Sequence, residues 1–162
     1  MIDDHLLEAS EALLAQCRAM GLKIATAESC TGGLLSAALT AIPGSSDIFE
    51  RGFATYSNEA KAECLGVPLA LIAAHGAVSA EVARAMADGA LARSAAQLSV
   101  AVTGVAGPGG GGEAKPVGLV FIAVARRGAM IDVERHVFAG DRAAIRESSV
   151  AAALALLSRQ AS

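Results

Sequence analysis

Leu22-Lys23-Ile24-Ala25-Thr26-Ala27-Glu28-Ser29-Cys30-Thr31-Gly32-Gly33-Leu34-Leu35-Ser36-Ala37-Ala38-Leu39-Thr40-Ala41 decides how the chain is read. Leu22 to Ala27 is short and largely apolar, which predicts a strand. Glu28 to Gly33 brings small polar side chains and two glycines, which predicts a turn. Leu34 to Ala41 returns to helix formers before Pro43-Gly44-Ser45-Ser46 breaks the pattern. A strand, a tight turn and a helix make half of a βαβ unit.

The alternation continues outward. Upstream, Asp4 is placed to cap a helix from His5 to Met20, where Leu6, Ala9, Leu13 and Cys17 recur at helical spacing and Gly21 ends the run. Downstream, Gly52 to Tyr56 reads as a strand, and Asn58 as the cap of a helix to Leu65, stopped by Gly66-Val67-Pro68. Ser79 caps the next helix, with Glu81 in its first turn. Leu98 to Thr103 is a buried strand running into the glycine-rich Gly104 to Gly112. Val117–Ala125 and Met130–Phe138 flank Arg126-Arg127-Gly128-Ala129 as an antiparallel hairpin. Asp141 caps a last helix reaching about Ser158. The expected fold is an α/β three-layer α/β/α sandwich with a mixed, mainly parallel sheet plus a C-terminal antiparallel hairpin. No repeat or linker divides residues 1–162, so one domain is expected.

Composition narrows the function classes. Of the 162 residues, 54% are apolar but only 3% aromatic, so Ala, Val, Leu and Ile must build the core. The net charge of −3 leaves Arg126-Arg127 as the one tight basic pair, which argues against direct nucleic-acid contact. Stretches such as Val117–Ala125 are too short for a bilayer, which takes about 20 residues. The acidic start Met1-Ile2-Asp3-Asp4 does not resemble a signal peptide, and Cys17, Cys30 and Cys64 form no C-x-x-C pair, so a reducing cytoplasm is expected. The alanine-rich helices would suit either a homo-oligomer interface or the core.

Three loops could carry chemistry. Glu28 to Gly33 puts a hydroxyl and a thiol at a helix start, where free backbone N–H groups could line an oxyanion hole; Ser29 and Thr31 could equally be ordinary caps. Thr55-Tyr56-Ser57-Asn58-Glu59-Ala60-Lys61 sets one of only three lysines in the first turn of a helix. A cation is misplaced there, so a depressed pKa and a role as general base are expected of Lys61; a solvated surface lysine is the other reading. Thr103 to Gly112 could cradle a phosphate with backbone amides, or merely connect. His5, His75 and His136 fall outside all three loops. A Ser–His–Asp triad and a metal site therefore gain little support, and a serine nucleophile would pair with lysine.

These segments resemble a known family. Ala27 to Gly33, Pro43-Gly44-Ser45-Ser46 with Phe49-Glu50-Arg51-Gly52, Thr55 to Lys61, His75-Gly76-Ala77-Val78-Ser79, Thr103 to Pro108 and Lys115-Pro116-Val117-Gly118 are similar, in order, to the CinA C-terminal domain family, from about residue 5 to residue 157. The resemblance implies hydrolysis of the carboxamide of nicotinamide mononucleotide to nicotinate mononucleotide and ammonia, with a mononucleotide as the small-molecule partner and no cofactor. It implies Ser29 as nucleophile and Lys61 as base, with Ser46 and Tyr56 in the same pocket. Cys30, Thr31, Gly32 and Gly33 would line the oxyanion site; Thr103, Gly104 and Gly107 would contact substrate; Arg142 would meet the phosphate. Longer family members carry an additional N-terminal domain, whose activity is not expected here. Four consecutive glycines, Gly109 to Gly112, stand where relatives often have other small polar residues. A nucleotide-binding regulator, an interaction module in DNA uptake or repair, and an amidase for another carboxamide are the competing readings.

Overall fold

The strands carry their larger apolar side chains on one face and small ones on the other, and this asymmetry sorts the helices. The computed structural model describes every residue, Met1–Ser162. Its strands are β1 (Ile24–Glu28), β2 (Phe49–Ala54), β3 (Leu98–Gly104), β4 (Leu119–Arg126) and β5 (Asp132–Val137). They form one sheet in the order β2-β1-β3-β4-β5. β1 runs parallel to both β2 and β3, while β3–β4 and β4–β5 are antiparallel. The expected α/β sandwich, its mixed sheet and its C-terminal hairpin are all present.

Along β3, Leu98, Val100 and Val102 join Ile122 and Val124 of β4 in a core shared with α1 (Asp4–Met20), α2 (Leu34–Thr40) and α6 (Arg142–Gln160). Ala101, with Ala27, Ala123 and Ala125, faces the other way, toward α3 (Asn58–Leu65), α4 (Leu69–His75) and α5 (Ala80–Ala92). Alanines on that side let α5, itself lined by Ala83, Ala87 and Ala90, lie close to the sheet. The Ser99 hydroxyl bonds the Ala87 carbonyl at 2.6 Å across that contact. This accounts for a core nearly free of aromatic residues: one interface is filled by branched aliphatics, the other by proximity.

Connectivity places the site. From β1 the chain passes through α2 to β2 on one side, then through α3, α4 and α5 to β3 on the other. β1 is thus the strand at which the winding reverses, and α/β sheets bind ligands at the carboxyl ends of strands flanking such a reversal. The parallel registers Glu28↔Ala54 and Glu28↔Val102 bring the ends of β2, β1 and β3 to one edge.

Four local expectations need correction. The cap of α1 is Asp3, whose side chain accepts from His5 N–H, rather than Asp4. Ser57, not Asn58, caps α3, because its hydroxyl reaches the Ala60 N–H at 3.0 Å. Pro68 does not merely stop a helix: its fixed φ of −61° also starts α4, which ends at His75. Finally, β2 spans Phe49–Ala54, beginning earlier and ending sooner than Gly52–Tyr56.

Gly89, inside α5, has no room for a side chain, since a Cβ there would run into the Leu65 carbonyl at the end of α3. Helix propensity alone favours Gly→Ala by about 1 kcal/mol. Contact with an immobile backbone oxygen reverses the sign, and overpacking costs about 1–3 kcal/mol. The expected outcome for Gly89→Ala is a lower melting temperature in a thermal unfolding scan; a higher one would refute the packing described for α3 and α5.

Candidate active site

The turn after β1 is built before it can do chemistry. Glu28, 1% exposed, turns its carboxylate onto the start of α2 and accepts from Leu35 N–H (2.9 Å), Ser36 N–H (3.0 Å) and the Ser36 hydroxyl (2.6 Å). α2 has no side-chain cap of its own at Gly33, so this carboxylate satisfies amides that would otherwise be orphaned and complements the helix dipole. Gly32 and Gly33 take φ of +57° and +106°, the left-handed region that lets the chain swing from strand to helix. The Gly32 N–H closes the turn on the Ser29 carbonyl at 2.9 Å. Ser29 is thereby held at the lip of the sheet.

Lys61 arrives from α3. Its amine lies 3.0 Å from the Ser29 Oγ and donates to the Thr55 carbonyl at 2.9 Å. The residue is 1% exposed, and it forms no salt bridge. Burial disfavours the ammonium form and lowers the pKa below the ordinary lysine value of 10.5; the Cys30 thiol nearby has a smaller, opposing effect. The same burial pushes the Cys30 thiol up to about 11, which keeps it protonated and makes it a poor nucleophile beside Ser29.

A cavity of about 300 Å³ opens over this pair. It is lined by Ser29, Cys30, Tyr56, Lys61, Thr103, Gly104, Gly107 and Arg142, together with Asn58, Ala77, Val78 and the Val105–Ala106 and Gly109–Gly110 backbone. Three loops far apart in sequence therefore meet as the sequence reading required. The Thr103 hydroxyl donates to the carbonyl of Ala77, another lining residue, at 2.8 Å. Arg142, the first residue of α6, donates to the Gly107 carbonyl and the Tyr56 hydroxyl, each at 2.8 Å. Tyr56 is 61% exposed and stands at the mouth with Arg142, not at the serine. The N–H groups of Cys30, Ala106, Gly107, Gly109 and Gly110 donate to no acceptor within the chain and border the same space. A hydroxyl beside a depressed amine, free amides and a guanidinium at the rim can together hold an anionic ligand and deliver a nucleophile.

Not every expected residue belongs. Ser46 is exposed on a short 3-10 turn, Ser45–Asp47, which precedes β2. The Ile48 carbonyl bonds the Ile24 N–H at the start of β1, so Ser46 sits a whole strand length from Ser29 and cannot relay its proton. Thr31, Gly32 and Gly33 do not line the cavity either. Thr31 is fully buried, the Gly32 amide is engaged by Ser29, and Gly33 opens α2. The oxyanion role expected of this turn narrows to the Cys30 N–H and its neighbours.

Two contributors were missed. Asn58 was read as a cap; Ser57 performs that task and leaves Asn58 facing the cavity. Arg146 reaches from α6 to the Cys30 and Thr31 carbonyls at 3.2 and 2.8 Å. Its signal was present in the sequence, since it lies four residues after Arg142 and thus on the same helical face.

Comparison with known proteins agrees with this architecture. The CinA C-terminal domain model matches residues 7–161. The nicotinamide-nucleotide amidohydrolase PncC of Escherichia coli is 47% identical over 160 residues, covering 99% of this chain and 97% of that protein. A longer protein of Caldicellulosiruptor bescii, named for competence and damage induction, is 48% identical over 159 residues; the match takes in 98% of this chain and spans only 38% of that relative's length. The crystal structure of competence/damage inducible protein CihA from Agrobacterium tumefaciens superposes with a TM-score of 0.95 at 44% identity, covering 97% of this chain and 96% of that one. The chain belongs to the CinA C-terminal domain family.

Proposed function

We propose that the chain is an amidohydrolase that removes ammonia from the carboxamide of nicotinamide mononucleotide, giving nicotinate mononucleotide for pyridine nucleotide recycling. The observation that carries this reading is the 3.0 Å approach of a buried, unpaired lysine amine to the Ser29 hydroxyl. The relative in Escherichia coli, similar over nearly its whole length, supplies the substrate. The reading sets the reaction in the cytoplasm, where the free thiols of Cys17, Cys30 and Cys64 persist.

The proposed chemistry uses the neutral form of the Lys61 amine, which burial favours. A neutral amine has one lone pair and two N–H bonds. One N–H donates to the Thr55 carbonyl, and the lone pair accepts the Ser29 proton as Oγ attacks the carboxamide carbon. The carboxamide oxygen takes up charge beside the Cys30 N–H, and one good oxyanion donor is worth about 3 kcal/mol. The Lys61 ammonium then returns its proton to the leaving nitrogen, so ammonia departs neutral and Ser29 is left acylated. Water, deprotonated by the regenerated amine, hydrolyses the ester. At the rim, Arg142 and the free amides of Ala106, Gly107, Gly109 and Gly110 hold the phosphate, with Tyr56 steadying the guanidinium.

Ser29→Ala and Lys61→Ala are each expected to lower ammonia release from the mononucleotide by about a thousandfold or more while the melting transition is retained. A Lys61→Ala protein of normal activity would eliminate the pair. Arg142→Ala is expected to raise KM for the mononucleotide by about ten- to a hundredfold, the worth of a charged hydrogen bond, and to leave turnover of free nicotinamide unchanged. Equal effects on both substrates would remove the phosphate role.

A further inference from the structure

We infer that Arg146 is a positioning residue for the reaction: by gripping the Cys30 and Thr31 carbonyls it keeps them turned away from the cavity, so that the oxyanion meets the Cys30 N–H and no opposing carbonyl. The inference rests on Ser29 acting as the nucleophile.

Every peptide plane in this turn is fixed by a nameable contact. The Ser29 carbonyl accepts from the Gly32 N–H at 2.9 Å. In a trans peptide the N–H points opposite to the C=O, so this bond turns the Cys30 N–H outward. The next plane has no backbone bond at all, because neither the Cys30 carbonyl nor the Thr31 N–H has a main-chain partner. Its only anchor is the Arg146 Nε, 3.2 Å from the Cys30 carbonyl. The following carbonyl, that of Thr31, accepts from the Leu34 N–H at 3.0 Å and from the Arg146 Nη2 at 2.8 Å. Without the guanidinium, the Cys30–Thr31 peptide could rotate, point its carbonyl toward the cavity and meet the developing oxyanion with like charge.

Three further features favour this task over simple packing. The contacts cross 115 and 116 residues of sequence to reach the one turn that carries the nucleophile. Arg146 faces carbonyls rather than a carboxylate, so its charge is not neutralised by a salt bridge and remains to polarise those two peptide groups. The start of α2 is already held by Glu28 on its amides, so Arg146 adds orientation to a segment whose path is set. Arg142 and Arg146 thus share one face of α6, the first directed to the cavity mouth and the second to the wall behind Ser29.

The test uses a fluorophosphonate, which carries no carboxamide. The Ser29 Oγ forms a bond to phosphorus, fluoride leaves, the serine proton passes to Lys61, and the phosphoryl oxygen occupies the oxyanion position. The second-order rate of single-adduct formation at Ser29, followed by intact mass, is compared for wild type, Arg146→Ala and Arg146→Lys alongside their melting temperatures. The expected result is a rate at least about tenfold lower for Arg146→Ala. Arg146→Lys, which keeps the charge and one donor, is expected between the two, independently of any change in melting temperature. Labelling of Arg146→Ala at the wild-type rate overturns the proposal. So does a loss in both variants that merely tracks a falling melting temperature, which would mark Arg146 as a fold contact. Because the probe is no nucleotide, this result is read separately from ammonia release, which alone tests the deamidation reading.

Discussion

An ammonium ion kept from water with no carboxylate beside it is an expensive arrangement, and a lysine so placed gives up its proton more readily than a solvated one. The contact between Lys61 and Ser29 depends on this. A solvated lysine would be charged near neutral pH and could only donate to the serine hydroxyl. Burial shifts the balance toward the neutral amine, which offers a lone pair. The fold maintains the burial with the Thr55 carbonyl as the sole further partner of the amine, which accepts a hydrogen bond from either protonation state and so fixes position without restoring the charge.

The rest of the architecture can be seen as the support for that meeting point. Reversal of winding at β1 opens a crevice between the ends of β1 and β3, and the parallel registers put Ser29, Thr55 and Gly104 along one edge. The serine turn is gripped at two points, by the Glu28 carboxylate on the amides of α2 and by the Arg146 guanidinium on two carbonyls. At the mouth, Tyr56 and Gly107 hold Arg142. A nucleophile, its base and an anion-binding rim are thus carried by different elements, and each is braced by hydrogen bonds that do not involve a ligand.

Much of this was legible in the sequence, and the failures have physical causes. Periodicity and glycines gave the order of strands and helices, because burial of one face imposes the 3.6-residue and 2-residue patterns directly. Neighbouring cap candidates were confused, Asp4 for Asp3 and Asn58 for Ser57, because adjacent residues with similar side chains differ only in which one adopts extended φ and ψ. The helix Leu69–His75 was missed because Pro68 both ends and begins structure. Ser29, Lys61 and Arg142 were identified through short motifs and the family resemblance, and all three border one cavity. Ser46 belonged to a motif just as clear, yet it lies at the far end of the sheet; a motif records that residues matter together but not which end of a strand they occupy. Arg146 could have been proposed from its spacing to Arg142, but its partners are backbone carbonyls, which carry no sequence signature.

The protonation of the Lys61 amine can be observed directly. With lysine labelled at its side-chain carbon and nitrogen, heteronuclear NMR follows each amine through its titration, and Lys61→Arg assigns the resonance among only three lysines. Lys61 is expected to titrate below the ordinary value of 10.5, in the direction burial dictates. By linkage, a depressed lysine pKa also makes folding more favourable as pH rises through the interval between the folded and unfolded values. A Lys61 amine that titrates at or above 10.5 would contradict the account, because burial would then not disfavour the ammonium and Ser29 would find a lone pair no more available than on a solvated lysine.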